Sequence, residues 1–438
     1  MSRVSRTFDV LSALLAAAVT AVLLVFNVRR MVFLVVACLD LLGRWPDRRS
    51  DIDQAGEILP EVLALAPMRN EAGSIPDLAA ALLALEYPAD RLTIGLIDDA
   101  STDSSGEAMD ALAAAHRQIL VLHNSASLGK ANSLNAGLAR WTSGEIVAVY
   151  DADARPEPDS LRRIAATFAD PDMAAVGGLI RPANGLASLI ASYAAVERLV
   201  HQQVTMRAKD RLNLAPAILG SNCAYRRSDL EAAGGFPGGA FLEDSYLTVA
   251  FARQGRRTRF LPEAIASDGV PETLRGYWRQ HVRWGRGFVD VAAGEGDGMA
   301  ASRRLVRRLK PASGSGKPAS AGSWRAPDAA RHAELTLFSL GYLDRLAVLA
   351  GVGLMALRRA AGKRGRVDAA LARMLAANVL LPYAQIAAAL AAERASLAWW
   401  MRLPVLPLFF AVDAAAALWS VMLSAGRRPR TWQQTERS

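Results

Sequence analysis

Residues 62–99 read VLALAPMRNEAGSIPDLAAALLALEYPADRLTIGLIDD, and this stretch decides the fold. VLALAPM at 62–68 is an unbroken apolar run of strand length, residues 73–86 have helical texture, and LTIGLIDD at 92–99 is a second apolar strand. A strand with no polar alternation buries both faces, and strands separated by helices pair in parallel. The pattern continues outward: a helix over 104–115, a strand at QILVLHN (118–124), a helix over 129–141 and a strand at EIVAVYDAD (145–153). The fold class is therefore α/β, a Rossmann-like and mostly parallel sheet covered by helices. Right-handed crossovers gather the loops that follow the strands on one edge, where ligands bind in such sheets.

The flanks differ. Residues 10–26 are apolar throughout, Arg29 and Arg30 follow, and a second apolar run extends from Met31 to Gly43. The first run reads as a membrane anchor and the second, short for a span, as an interfacial helix, with a two-span hairpin as the alternative. A cleaved signal peptide is disfavoured, because arginines stand where small residues should mark the cleavage site. Residues 294–328 alternate Gly, Ser, Pro and Ala around a basic run from Arg303 to Lys310, which reads as a flexible linker. Apolar stretches follow at 335–357, 371–392 and 397–424. The chain thus divides into an anchor and juxtamembrane segment (1–57), a globular domain (58–293), a basic linker (294–334), membrane or interface helices (335–426) and a basic tail (427–438). The formal charge is +9, but the arginines cluster beside the apolar segments, which suits anionic lipid and not nucleic acid. No nucleic-acid-binding motif is present. Cys38 and Cys223 alone imply no disulfide framework and fit a cytosolic domain.

Four polar clusters carry chemistry. Asp98 and Asp99 end a strand and precede Ser101, Thr102 and Asp103, which suits either a nucleoside-binding turn or a helix N-cap. Asp151 and Asp153 end another, with the alternate spacing that aims two hard oxygen ligands at one cation. Glu243 and Asp244 precede a helical stretch, as a general base or as acidic residues complementing the helix dipole. Gln280, Arg283 and Trp284 could clamp a diphosphate and stack on a sugar, or could form one face of an interfacial helix.

In this order the clusters resemble family-2 glycosyltransferases, in particular the membrane synthases of cellulose, chitin, hyaluronan and poly-N-acetylglucosamine. Asn70-Glu71, Gly129-Lys130-Ala131, Leu134-Asn135-Ala136-Gly137, Gly220-Ser221-Asn222, Gly234-Gly235-Phe236 and Pro271-Glu272-Thr273 agree with that family, over roughly residues 60–290. The resemblance implies a GT-A fold and an inverting mechanism. Glu71, Asp98 or Asp99, and Lys130 would hold the nucleotide, and Asp151 would face the donor. Asp153, with Asp151, would bind Mg²⁺ or Mn²⁺, Asp244 would be the base, and Arg283 would stabilise the diphosphate. Glu243, Gln280 and Trp284 would lie toward the acceptor. The implied donor is a nucleotide sugar, a UDP-sugar being expected, and the implied acceptor a saccharide of a cell-envelope or extracellular polysaccharide. Transfer of one sugar to a lipid is the alternative, and a catalytically dead membrane sensor a further one.

Nucleotide sugars are cytosolic, so residues 60–290 are expected inside a bacterial plasma membrane, in a multi-pass chain with three or four spans. Arg44, Arg48 and Arg49 agree with the positive-inside rule. Asp344 and Arg345 within 335–357 favour an interfacial position for that segment, which would put the basic clusters 358–366 and 427–430 inside as well. Residues 186–206, where Glu197, Arg198 and His201 interrupt apolar residues, read as another interfacial helix on the acceptor side.

Overall fold

The computed structural model describes residues 3–45, 59–240, 242–293, 325–405 and 409–425. The chain opens with helix α1 (Arg3–Leu41). Strand β1 (Val62–Met68), helix α2 (Ile75–Leu83), strand β2 (Leu92–Asp98), helix α3 (Ser105–Ala115), strand β3 (Ile119–His123), helix α4 (Lys130–Arg140) and strand β4 (Ile146–Val149) follow. These four strands pair in parallel, in the order β3-β2-β1-β4. The sheet reaches eight strands with β5 (Arg155–Pro156), β6 (Met173–Pro182), β7 (Cys223–Arg226) and β8 (Arg257–Asp268), in the order β3-β2-β1-β4-β7-β6-β8-β5. β7 runs antiparallel between β4 and β6, so the sheet is mixed beyond β4.

Alternation along β1 supplies both faces of the sheet. Val62, Ala64, Ala66 and Met68 pack with Ile75, Leu78 and Leu82 of α2 on one face. Leu63 and Leu65 pack with Leu134, Trp141, Tyr225 and Phe251 on the other. Helix α4 lies so close to the sheet that a Cβ on Gly95 would sit 2.4 Å from the Trp141 ring. The expected strand 145–153 stops at Val149, because Asp151 turns the chain with its carbonyl accepting from Ala154 N–H at 3.0 Å. That turn carries Asp151 and Asp153.

Helix α5 (Ser160–Ala166) covers the sheet, and α6 (Leu189–Leu199) continues into a π-helix over Val200–Met206 and then α7 (Arg207–Arg211). Within residues 186–206, Ala191, Ala194, Ala195 and Val204 are buried among Phe33, Val36 and Ala37 of α1 and residues of the C-terminal helices, while Leu186 and Leu189 are exposed. Helices α8 (Arg227–Ala232), α9 (Glu243–Arg253) and α10 (Leu274–Ala293) complete the domain. Among the described residues five helices follow: α11 (Arg325–Ser339), α12 (Leu343–Ala360), α13 (Arg366–Ala392), α14 (Leu397–Arg402) and α15 (Phe410–Ala425).

Two expectations for the flanks change. First, α1 is one helix of 39 residues, about 58 Å long, with no break at Arg29-Arg30 and hence neither a separate interfacial helix nor a hairpin. No Gly or Pro interrupts it before Gly43, and the arginines are neutralised where they stand, Arg29 by Glu334 at 2.6 Å and Arg30 by Asp344. Second, 335–357 is divided between helices bent by 63°, and α12 runs back along α1. Asp344 at its start meets Arg30, while Arg358 at its end meets Ser12 at 2.7 Å. Asp344 and Arg345, which had argued for an interfacial position, are satisfied by Arg30 and by Asp413. Helix α13 then returns beside α1, its Met374 carbonyl accepting from Asn27 Nδ2 at 3.0 Å. Residues Thr7–Leu41 and Arg366–Ala392 are long and apolar enough to cross a membrane, and the bent pair α11–α12 makes up to three such segments. The stretch 397–424 is divided between α14 and α15, and most of the expected linker and the basic tail lie outside the described residues.

Candidate active site

The β2–α3 turn places Asp98 and Asp99 side by side, and Asn70 and Ala100 both adopt positive φ (55° and 56°) at these strand ends. Such a backbone is costly for non-glycine residues and persists where surrounding contacts fix it. The two aspartates then differ. Asp98 accepts from Ser101 N–H at 2.9 Å and faces His123 Nδ1 at 3.0 Å, so it braces its own turn. Asp99 accepts from Leu128 N–H (2.7 Å), Gly129 N–H (2.9 Å), Asn124 Nδ2 (3.0 Å) and the hydroxyls of Ser127 and Ser133 (both 2.8 Å). Burial would raise the Asp99 pKa, but these donors outweigh it and hold the carboxyl below its ordinary range. Asp99 therefore shapes the loop that delivers Lys130.

Lys130 begins α4. Its Nζ donates to Asp151 Oδ1 at 2.6 Å and to the Gly220 carbonyl at 2.8 Å, and lies 3.7 Å from Glu243. Burial alone would discharge it, but Asp151 and Glu243 reverse that and its pKa is raised. Asp151 is held through its N–H by Ser221 Oγ at 3.0 Å, and Asp153 Oδ2 accepts from Gly269 N–H at 3.2 Å. Asp244, in the first turn of α9, has its carboxyl pushed up to about 7 by burial and then by the neighbouring Glu243 charge. Helix α10 supplies Gln280, Arg283 and Trp284.

One cavity of about 1560 Å³ unites these groups. Glu71, Asp99, Lys130, Asp151, Asp153, Glu243, Asp244, Gln280, Arg283 and Trp284 all line it. Asp98 is not among its lining residues, and its oxygens brace the turn through Ser101 and His123. Asp151 and Asp153 both line this cavity and carry the hard oxygen atoms that suit a divalent cation.

The cavity extends further than the motifs. It continues past Trp284 to Phe26, Arg30 and Phe33 of α1, Glu197 and His201 of the α6–π segment, and Pro382 and Ile386 of α13. His281, inside the Gln280–Trp284 motif, joins these elements. Its Nδ1 faces the Tyr277 carbonyl at 3.0 Å and its Nε2 faces Glu197 Oε2 at 2.8 Å. Both partners offer acceptor oxygens, an arrangement that favours the protonated ring. Burial opposes that charge, but Glu197 and Asp413 outweigh it and the pKa is raised. Asp413 also accepts from Arg345 Nε at 2.9 Å and from the Tyr277 hydroxyl at 3.1 Å. Glu197, His281 and Asp413 lie close enough together to suggest a metal centre. Arg345 pairs with Asp413 and His281 with Glu197, so the cluster is arranged as an ion-pair network. Nothing in the sequence signals it beyond the presence of charges in apolar stretches, because its members come from four separate helices.

Comparison with known proteins agrees with this geometry. The profile of the family described as "Glycosyltransferase like family 2" matches residues 60–287. A probable glycosyltransferase, YdaM of Bacillus subtilis, is 32% identical over 233 residues, covering 52% of this chain and 55% of that protein. A β-monoglucosyldiacylglycerol synthase of Synechocystis is 28% identical over 52% of this chain and 48% of its own length. An N-acetylglucosaminyltransferase of Mesorhizobium japonicum is 27% identical over 53% and 57%. The chain thus spans about half the length of these curated relatives. The mannosyltransferase PcManGT of Pyrobaculum calidifontis, solved with GDP-Man and Mn²⁺, superimposes with a TM-score of 0.57 at 23% identity, covering 93% of this chain and 99% of that one. That likeness is one of fold, and it extends the GT-A architecture to the flanking helices. With a family match over residues 60–287, just over half of its length, and this sheet beneath it, the chain belongs to glycosyltransferase family 2.

Proposed function

We propose that the protein is an inverting glycosyltransferase that moves a sugar from a nucleotide-sugar donor, a UDP-sugar on our reading, to an acceptor hydroxyl. The observation that carries this is the convergence of Asp244 with Lys130, Asp151, Asp153 and Arg283 on one cavity, where burial and the Glu243 charge push the Asp244 carboxyl up to about 7. A base so tuned takes a proton at neutral pH without being fully protonated itself. Asp244 removes the acceptor proton, the freed oxygen attacks the anomeric carbon from the face opposite the diphosphate, and the configuration inverts. Lys130 and Arg283 hold the departing diphosphate. Asp153 and Asp151 would hold Mg²⁺ or Mn²⁺, which supplies further charge neutralisation to the diphosphate when bound. A dead sensor or scaffold is disfavoured, because all these groups converge.

A saccharide acceptor, as in polysaccharide synthesis, and a lipid acceptor both fit the chemistry. The lipid reading is favoured by the cavity wall, since Phe26, Phe33, Pro382 and Ile386 belong to helices long and apolar enough to cross a membrane. We place the catalytic domain on the cytosolic side of a bacterial plasma membrane. The experiment is a screen of nucleotide sugars against membranes carrying the protein, following nucleoside diphosphate release with products resolved by chromatography. One donor should give chelator-sensitive release restored by Mn²⁺ or Mg²⁺. Release from no donor would end the transferase reading, and full turnover in excess chelator would end the metal assignment.

A further inference from the structure

The membrane-side wall of the cavity carries an imidazole, His201, that the network above does not use. His201 stands in the π-helix, and Glu197, His201 and Thr205, spaced four apart, all line the cavity. π-helical turns recur at functional sites, because the widened turn redirects side chains. This one is held rigidly. Gln202 donates to the Ile180 carbonyl at 2.8 Å and accepts from Ile180 N–H at 2.7 Å, as an added rung on β6. Gln203 meets Glu393 at the end of α13 and accepts from Arg207 at 2.6 Å. His201 itself makes no hydrogen bond or ion pair among the described residues.

Its charge state follows from its neighbours. Burial, with Lys209 and Arg29 nearby, pushes the imidazole down to about 4, only partly opposed by Glu197. Both cations are paired with Glu334, at 3.4 Å from Lys209 and 2.6 Å from Arg29. At neutral pH His201 therefore presents one N–H donor and one lone pair to the cavity. That combination matches a hydroxyl, which both donates and accepts, better than it matches an anion or a cation.

We propose that His201 is an acceptor-binding residue whose imidazole holds a hydroxyl of a non-ionic, hydroxylated headgroup at the membrane-side end of the cavity. This rests on the transferase reading above and assigns the acceptor half of the same site. A glycosyl or glycerol headgroup on a lipid and a free saccharide share the required chemistry.

Two measurements test it. Initial rates are compared for wild type, His201→Leu and His201→Gln with the preferred donor, using a monoglycosyl diacylglycerol in phosphatidylcholine vesicles in one arm and a soluble oligosaccharide in the other. His201→Leu should raise the acceptor KM about five- to twentyfold, leave kcat within about threefold, and leave nucleoside diphosphate affinity within about twofold. His201→Gln, whose amide both donates and accepts, should recover most of the loss. The arm in which KM moves identifies the source of the headgroup. An unchanged KM in both arms, or a Gln variant as impaired as Leu, overturns the proposal while leaving the transferase reading intact. The second measurement needs no turnover. Carbethoxylation of His201 by diethyl pyrocarbonate, located by mass spectrometry, should be slowed by sub-micellar octyl β-glucoside and not by UDP. Equal labelling with and without the glucoside overturns the proposal even if every donor proves inert.

Discussion

The two halves of the cavity are held together in opposite ways. In the donor half, Asp99 gathers five hydrogen bonds from residues no more than 34 positions away, all between Asn124 and Ser133. In the acceptor half, Arg29 meets Glu334 across 305 positions, Tyr277 meets Asp413 across 136, and His281 meets Glu197 across 84. The Asp99 turn within the donor half is complete once β2, β3 and α4 close on one another. The acceptor half is neutral only after the C-terminal helices have returned to the domain. The first is a local turn with its charge saturated by neutral donors, and the second is a set of buried ion pairs that depends on long-range assembly.

That difference can be broken from either side. Asp99→Ala should have the larger effect. It leaves several buried donors without an acceptor, at a cost of at least ~3 kcal/mol. Chemical denaturation should show the loss, and calorimetry should show nucleoside diphosphate affinity falling with it, because the loop bearing Lys130 is no longer shaped. His281→Leu should cost ~1–3 kcal/mol, discounted because Glu197 is part-exposed, by leaving two carboxylates with Arg345 as their remaining cation. Here diphosphate affinity should stay near that of wild type while turnover falls. A His281 variant that loses donor binding, or an Asp99 variant that keeps it, would merge the two halves into one unit.

A smaller effect concerns Asp244 and pH. The native carboxyl keeps its proton up to about pH 7, whereas its ordinary value is 3.8. The folded state therefore binds more protons than the unfolded one within that window, and this group's contribution to stability declines as pH rises through it. Asp244→Asn carries no charge to bury. It should be more stable than wild type at pH 8, by ~1–2 kcal/mol after allowing for the partial exposure of the site, and no more stable at pH 4. Melting curves at the two pH values check this.

The contrast also explains what the sequence made legible. The parallel sheet, the carboxylates at its strand ends and the Gln280–Trp284 motif are written as short patterns, because each is a strand, a turn or a single helix. Asp98 looked equivalent to Asp99 because both end the same strand. Only the partners, His123 for one and the Leu128–Gly129 backbone for the other, separate them. The charges of the flanking helices misled for a related reason. Arg29, Arg30, Asp344 and Arg345 each argue alone for an interface, and together they cancel inside a bundle. Their pairing bears on the expected topology, in which the basic cluster 358–366 lies inside. Arg358 and Lys363 sit beside Ser12 and Asp9, at the end of α1 remote from the domain. If α1 crosses the membrane, a cysteine placed at Arg364 should react with an impermeant maleimide from the side opposite one placed at Asp103. Labelling of both from the same side would contradict the bundle's crossing.

The central claim is that Asp244 is the base of a sugar transfer served by both halves of the cavity. The measurement closest to it is the pH dependence of kcat/KM for wild type, Asp244→Asn and Glu243→Gln, with nucleoside diphosphate affinity titrated for each. The wild-type rate should rise as pH passes through about 7. Glu243→Gln should shift that rise to lower pH, since it removes the neighbouring negative charge. Asp244→Asn should lose about two to four orders of magnitude at every pH while binding the diphosphate normally. Near-normal rates in Asp244→Asn beside a dead Glu243→Gln would make Glu243 the base and contradict the account.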